Sequence, residues 1–222
     1  RCCLNLRRAS AAACSASRIY RLTPQQTLAA IGLSAGACGA LTRDGGTMAK
    51  PFRCGHAAAT GVTSALLAQA GFSSDETVLE GHYGLLEAVG PVTEDILESL
   101  GKNLGVEWDL AHSLRIKPFA SCTATQSGLE AMLRLRQREN FSPDDVEAIE
   151  CDLRPYPLVR ARPTRGYEGR FSMPFCLAMT LVHGTVKPDD FINERLADPR
   201  IQNLIQRTRH IKEEVLTVIL KN

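Results

Sequence analysis

The chain has 222 residues, of which 44% are apolar and 23% are charged, and its net charge is +2. This composition is that of a globular protein with a sizeable core, and so small a net charge argues against nucleic acid or an anionic membrane as a partner. No apolar run reaches the roughly 18 residues that a membrane-spanning helix needs.

The chain contains eight cysteines, which are spread through apolar segments and never have C-x-x-C spacing. That distribution predicts free, mostly buried thiols in a reducing compartment, without a disulfide framework. It also gives no reason to expect a zinc site or an iron–sulfur cluster.

The first 43 residues contain six arginines and no acidic residue. Residues 1–18 are rich in Arg, Ser, Ala and Cys, a composition compatible with an organelle transit peptide. The alternative is an arbitrary start, because residue 1 is arginine and not methionine. Cytoplasmic and mitochondrial locations both stay open.

Two helices are predicted before residue 41. The first covers residues 11–20. The second begins after Thr23, a suitable N-cap, with Pro24 at its first position. Small residues along the second helix are typical of close packing in a helical domain.

Lys50, Arg53 and His56 are predicted to lie in a loop, 42–55, that leads into a helix at 56–70. Free N–H groups, the positive end of a helix and mobile cationic side chains would together suit an anion. A short helix at 73–79 and a further helix at 94–104 are expected to follow.

The chain changes character near residue 112. Leu114 and Ile116 alternate with Arg115 and Lys117, which predicts a short strand. Lys117 also belongs to a second Lys-Pro loop, ahead of a long helix at 123–140. We hypothesise that the loops of Lys50 and Lys117 face one site for a polycarboxylate; the alternative is that both are ordinary loop lysines.

Residues beyond 140 mix strands and helices. Strand 149–153 is followed by a loop at 156–169 and by an apolar helix at 171–183, which Ser172 could cap and Gly184 could end. Further helices begin near 188 and 198, and residues 215–220 form a strand-like tail. The pattern predicts a mainly α fold, with part of an all-helical domain at 1–112 and a smaller α+β domain at 113–222.

Several motifs together resemble the MmgE/PrpD family. They are, in order, MAKPFRCGHAAATG, LLAQAGF, LEGHYG, IKPFASCTATQSGLEA and RFSMPFCLAMTLVHG. The similarity runs from about residue 11 to about residue 209. It implies a helical domain with an α+β lid, usually in a homodimer, and a chain that corresponds to a fragment without the family's N-terminal half and C-terminal end.

The resemblance also implies site residues. Lys50 and Lys117 match the two motif lysines of the family's substrate pocket. We expect Lys50, Lys117 and His56 to be catalytic, and Lys50, Arg53, Lys117 and Cys122 to bind substrate. The resemblance also implies chemistry that needs no metal and no other cofactor.

Some motif positions depart from the family pattern. Arg53 stands where most members have a histidine, and Gln126 stands where many have another. Ala120, Ser121 and Thr123 replace a typical Pro, Cys and Arg. His56, three residues after Arg53, is the candidate to replace the lost histidine.

The resemblance and these departures leave three candidate functions. The family includes 2-methylcitrate dehydratases, cis-aconitate decarboxylases and iminodisuccinate epimerases. The leading expectation is a metal-independent lyase of the 2-methylcitrate dehydratase type that removes water from a citrate-like polycarboxylate. The alternatives are a cis-aconitate decarboxylase-like enzyme and an inactive, truncated paralogue that serves as a binding or dimerisation module.

Overall fold

The computed structural model describes residues 3–37, 39, 45–99, 101–152, 160–212 and 215–221. The fold is mainly α with a small three-stranded sheet, as predicted. The chain divides into two compact units. The helical unit comprises Arg1–Thr42 and Met48–Leu114, and the α+β unit comprises Arg43–Thr47 and Arg115–Asn222.

Within its described residues, the helical unit is organised around three longer helices, with three short ones after them. They are α1 (Cys3–Ile19), α2 (Pro24–Ala37), α3 (Ala49–Gln69), α4 (Leu85–Val89), α5 (Glu94–Ser99) and α6 (Asp109–Ser113). Alanines form the buried centre of the first three helices: Ala13, Ala16, Ala29, Ala30, Ala65 and Ala68. Such small side chains let helix axes approach closely. A Cβ added to Gly61 of α3 would lie only 2.4 Å from the carbonyl oxygen of Ala9 on α1.

The predicted start of α2 is confirmed by its cap. Gln26 N donates to Thr23 Oγ1 at 3.2 Å, and Thr23 N donates to Gln26 Oε1 at 3.0 Å. This reciprocal pair satisfies two backbone donors at the helix start. Pro24 takes the first helical position, where its missing N–H costs nothing.

The prediction of a loop up to residue 55 is wrong, because α3 already begins at Ala49. Pro51 stands in the first turn, where N–H groups have no acceptor within the helix, so a proline is tolerated there. The predicted helix at 73–79 is a series of turns instead. The loop predicted at 42–44 lies outside the described residues.

The α+β unit contains four α-helices and three strands among its described residues. They are α7 (Gln126–Glu139), β1 (Val146–Cys151), α8 (Met173–His183), α9 (Asn193–Ala197), α10 (Pro199–Arg207), β2 (Thr208–His210) and β3 (Thr217–Leu220). Short 3-10 turns at Thr123–Thr125, Pro143–Asp145, Gly166–Phe171 and Pro188–Asp190 connect them.

The sheet has the strand order β2-β1-β3. β1 runs parallel to β2, with Cys151 opposite His210, and antiparallel to β3, with Ile149 opposite Val218. The predicted tail strand is thus confirmed. The prediction of a strand at Leu114 to Lys117 is wrong, because this stretch is irregular. Alternating apolar and polar residues do not form a strand without a neighbouring strand to pair with, and β1 already pairs on both edges with β2 and β3.

Helix α8 is the centre of the core of the α+β unit. It packs with α7 and α10, and residues of β1 belong to the same core. The largest fully buried side chains of this core include Phe175, Leu129, Met132, Ile149, Leu177, Met179, Leu181 and Ile201. The predicted caps are confirmed: Phe175 N donates to Ser172 Oγ at 3.2 Å, and Gly184 ends the helix with a φ of 78°. The core thereby fixes the elements that carry the cavity described next.

Candidate functional site

A cavity of about 780 Å³ opens in the α+β unit beside the start of α7. This volume is within the usual range of small-molecule sites. Its walls combine charged, polar and apolar side chains: Arg115, Lys117, Gln126, Ser127, Asp152, Met173 and Leu216, among others. Of the sequence-predicted site residues, it contains Lys117.

The side chain of Gln126 makes several hydrogen bonds to the Lys117 loop, residues 115–122. Gln126 Oε1 accepts from Phe119 N at 3.2 Å, and Gln126 Nε2 donates to Phe119 O at the same distance. Gln126 Nε2 also lies within hydrogen-bonding distance of Ser121 O, Ser121 Oγ and Cys122 O, at 3.1–3.4 Å. Gln126 therefore satisfies backbone polar groups of a loop that has no regular secondary structure.

A buried pair of hydroxyl groups supports the same loop from the side of the core. Ser121 Oγ and Thr125 Oγ1 are 2.6 Å apart, and Thr125 Oγ1 donates to Cys122 O at 2.8 Å. Cys122 N donates to Arg170 O at 2.8 Å, which ties the loop to the turn before α8. The replacements at 121 and 126, read from sequence as departures, are thus part of a connected hydrogen-bond network.

Lys117 is exposed, and its ammonium group donates to Ser121 O at 3.3 Å. That contact uses one of the three ammonium donors. Cys122 is partly exposed and directly precedes Thr123, which lines the cavity. Burial raises the pKa of the neighbouring Cys176 thiol to about 12, so that thiol stays protonated near neutral pH.

Sequence reasoning missed Asp152 and His210. Asp152 follows the last residue of β1 and lines the cavity, and His210 Nδ1 lies 3.7 Å from Asp152 Oδ1. Asp152 could have been found from the sequence, because it is a charged residue directly after a predicted buried strand position. No local signal marks His210, because the parallel pairing of β1 and β2 creates its proximity to Asp152.

The other predicted site residues lie on α3 of the helical unit, not in a loop. Lys50 and His56 are exposed, and Arg53 is half-buried between them in sequence. The ring of His56 stacks on Phe52, with centroids 5.7 Å apart and an interplanar angle of 11°. That Lys50 and Lys117 serve one substrate stays a prediction.

His56 also lines a groove of about 510 Å³ within the helical unit, together with Thr60, Thr63 and Ser64. In the described part of the chain, no three His, Cys, Asp or Glu side chains group together as a metal site requires. No helix in the described ranges is both long and apolar enough to span a bilayer.

The chain thus combines a helical unit with an α+β unit, and the α+β unit contains a cavity lined by charged, polar and apolar side chains. Residues 7–94 match the MmgE/PrpD N-terminal domain, and residues 119–217 match the MmgE/PrpD C-terminal domain. The chain therefore belongs to the MmgE/PrpD family, as its motifs indicated.

A curated relative is the cis-aconitate decarboxylase-like protein oryM of Aspergillus oryzae. It is 26% identical over 221 aligned residues, an alignment that covers 89% of this chain and 44% of the relative. The chain thus spans less than half the length of the curated relative that it matches.

Proposed function

We propose that this protein is a metal-independent lyase that removes water from a citrate-like polycarboxylate, in the manner of a 2-methylcitrate dehydratase. The observation that carries the proposal is the Lys117 loop. This loop places Lys117 in the lining of a cavity of about 780 Å³, and hydrogen bonds from Gln126 hold the loop in place. The chain is also a member of the MmgE/PrpD family.

The charge of the cavity suits such a substrate. The charged residues among those that line it are Arg115, Lys117 and Asp152, so the lining carries one net positive charge. Removing a proton beside a carboxylate builds negative charge on that carboxylate, and fixed cations in a partly desolvated site stabilise it. A charge-assisted hydrogen bond of this kind contributes about 1.5–3 kcal/mol.

The proposal includes the predicted residues of α3. Lys50 would bind a second carboxylate of the same substrate, Arg53 would add a contact, and His56 would supply proton transfer. Cys122 would contact the substrate beside Lys117. As in the family at large, the working form would be a homodimer, and neither nucleic acid nor membrane would be a partner.

A second candidate is decarboxylation of a cis-aconitate-like tricarboxylate, which the name of the Aspergillus relative favours. The same cationic clamp would hold the substrate while CO₂ leaves. A third candidate is an inactive binding module. Arg53 and Gln126, which replace histidines of the family motifs, favour this candidate.

One assay separates the three candidates. The purified chain is incubated with 2-methylcitrate, citrate and cis-aconitate, and products are followed by mass spectrometry and by the ultraviolet absorbance of a C=C bond conjugated to a carboxylate. Unsaturated acid from 2-methylcitrate or citrate supports the dehydratase. Itaconate with released CO₂ supports the decarboxylase and overturns the dehydratase.

Variants connect the result to the site. Lys50→Ala and Lys117→Ala should each lower turnover at least tenfold, the effect of losing about 1.4 kcal/mol of transition-state stabilisation. Lys102→Ala, which removes an exposed lysine of the helical unit, is the matched control and should leave turnover unchanged. Turnover that survives both site variants would overturn the proposal. Absence of turnover with all three acids, in a folded chain, would support the inactive module.

A further inference from the structure

A carboxylate and an imidazole lie together at the edge of the Lys117 cavity, and neither belongs to the predicted site. The Asp152 side chain is only 15% exposed, and it lines the cavity; the His210 side chain is 38% exposed. We propose that Asp152 is the catalytic base of this cavity and that His210 is its positioning residue. The inference rests on the proposed function.

The backbone holds the two residues together. Cys151 of β1 pairs with His210 of β2 in the parallel ladder, and Ile211 N donates to Cys151 O at 3.1 Å. Both side chains therefore emerge where the two strands end. His210 Nδ1 lies 3.7 Å from Asp152 Oδ1, so a small rotation of either side chain completes a hydrogen bond.

The chemistry needs an acceptor for a carbon-bound proton inside the cavity. Of the described residues that line the cavity, Asp152 is the one with a carboxylate. Lys117 and Arg115 supply the cations that hold an acidic substrate. A carboxylate oriented by an imidazole is an arrangement in which the second group keeps the base in place and passes its proton onward.

The proposed step is a dehydration. Asp152 takes a proton from the carbon next to a substrate carboxylate, and the C–H electron pair becomes the second bond of a C=C. The C–O bond on the adjacent carbon breaks with its electron pair on oxygen. The departing hydroxide takes a proton from the Lys117 ammonium and leaves as water. His210 passes the proton of Asp152 to solvent, and Lys117 regains a proton from solvent.

The test compares variants of the full chain for turnover of 2-methylcitrate and for binding of propane-1,2,3-tricarboxylate, which has no hydroxyl to lose. Asp152→Asn should lower kcat by about 10²–10⁴-fold, the usual contribution of a general base. It should leave the dissociation constant of the tricarboxylate within about threefold, since the carboxylate does not hold the ligand. Glu147→Gln, at an exposed acid on the same strand, should change neither quantity.

His210 is tested by a kinetic signature that a purely structural role would not produce. His210→Ala should lower kcat by about tenfold while KM stays within twofold, and added imidazole should restore part of kcat, because the site is open to solvent. Formate should likewise restore part of the kcat of Asp152→Ala. The thermal midpoints of these variants report whether they fold.

The outcomes separate this inference from the proposed function. An active wild type whose Asp152→Asn variant keeps kcat within threefold overturns the inference alone. Losses that neither formate nor imidazole restores, in folded variants, assign the pair a structural role and also overturn it. A wild type that turns over no polycarboxylate overturns the proposed function, and the inference falls with it.

Discussion

Gln126 and Phe119 exchange two hydrogen bonds, each of 3.2 Å, between a side-chain amide and a backbone peptide group. The pair closes the Lys117 loop onto the first turn of α7. A backbone segment without helix or strand neighbours must satisfy its polar groups in some such way. The position of Lys117 at the cavity therefore depends on a side chain nine residues further along the chain.

Replacing this side chain should loosen the loop. Gln126→Ala removes partners from Phe119 N and O, and we expect it to lower the free energy of unfolding by about 1–3 kcal/mol. Proteolytic cleavage within residues 115–122 should become faster. Gln137→Ala, at an exposed glutamine on the same helix, is the matched control, and equal effects of the two variants would contradict this role for Gln126.

The contact between α1 and α3 should not accept a methyl group. Gly61→Ala would place a Cβ 2.4 Å from Ala9 O, so the helices must separate, at a cost of about 1–3 kcal/mol in stability. Gly55→Ala is the matched control on the same helix, because its Cβ would meet nothing within 4 Å. That control should be stabilising, by up to about 1 kcal/mol, through helix propensity. Urea unfolding followed by circular dichroism measures both, and a Gly61→Ala protein as stable as the wild type would disprove the close contact.

Acid should remove the contribution of one helix cap. A side-chain hydrogen bond from Arg200 lowers the pKa of Asp198 from its ordinary 3.8 to about 2. Folding thus favours the ionised form of the Asp198 side chain. The stabilisation of the folded protein by this carboxylate is complete above pH 3.8 and disappears as the pH falls through about 2. Asp198→Asn should be less stable than the wild type by about 0.5–1 kcal/mol at neutral pH.

The difference between Asp198→Asn and the wild type should shrink between pH 3.8 and 2, as the wild-type carboxylate takes up its proton. Urea titrations at several pH values measure it. Asp189→Asn, at an exposed aspartate, is the matched control for the loss of a carboxylate. A difference that is independent of pH would mean that the charge of Asp198 does not stabilise its helix.

Thiol reactivity should follow burial. Burial raises the pKa values of Cys151 and Cys176 to about 12, so at pH 8 only about one thiol in 10⁴ is ionised. Iodoacetamide should modify Cys54 and Cys122, which are partly exposed, well before these two. Peptide mapping of the native protein gives the order, with the urea-unfolded protein as the control. Comparable rates for Cys122 and Cys176 in the native state would contradict the described packing.

Local sequence signals predicted the elements whose causes are local. Thr23 and Pro24 mark the start of α2, Ser172 and Gly184 bound α8, and Asp198 caps α10, because a cap is satisfied by backbone groups only a few residues away. Lys117 lies in a loop, as its Lys-Pro motif indicated, and not in the strand that the alternation at 114–117 predicted. The same reasoning failed at α3, where Pro51 was placed inside a loop at 42–55 although the first turn of a helix accepts a proline.

The sequence by itself thus determined the family, the mainly α class and the cationic residues on which the proposed chemistry depends. Tertiary structure alone decided that β1 pairs with β2, that Gln126 holds the Lys117 loop, and that His210 lies beside Asp152. The pairing of the strands joins residues that are far apart in the chain, and the Gln126 bonds depend on how a loop folds back onto a helix. A periodic pattern records which face of an element is buried, but it does not record which distant segment covers that face.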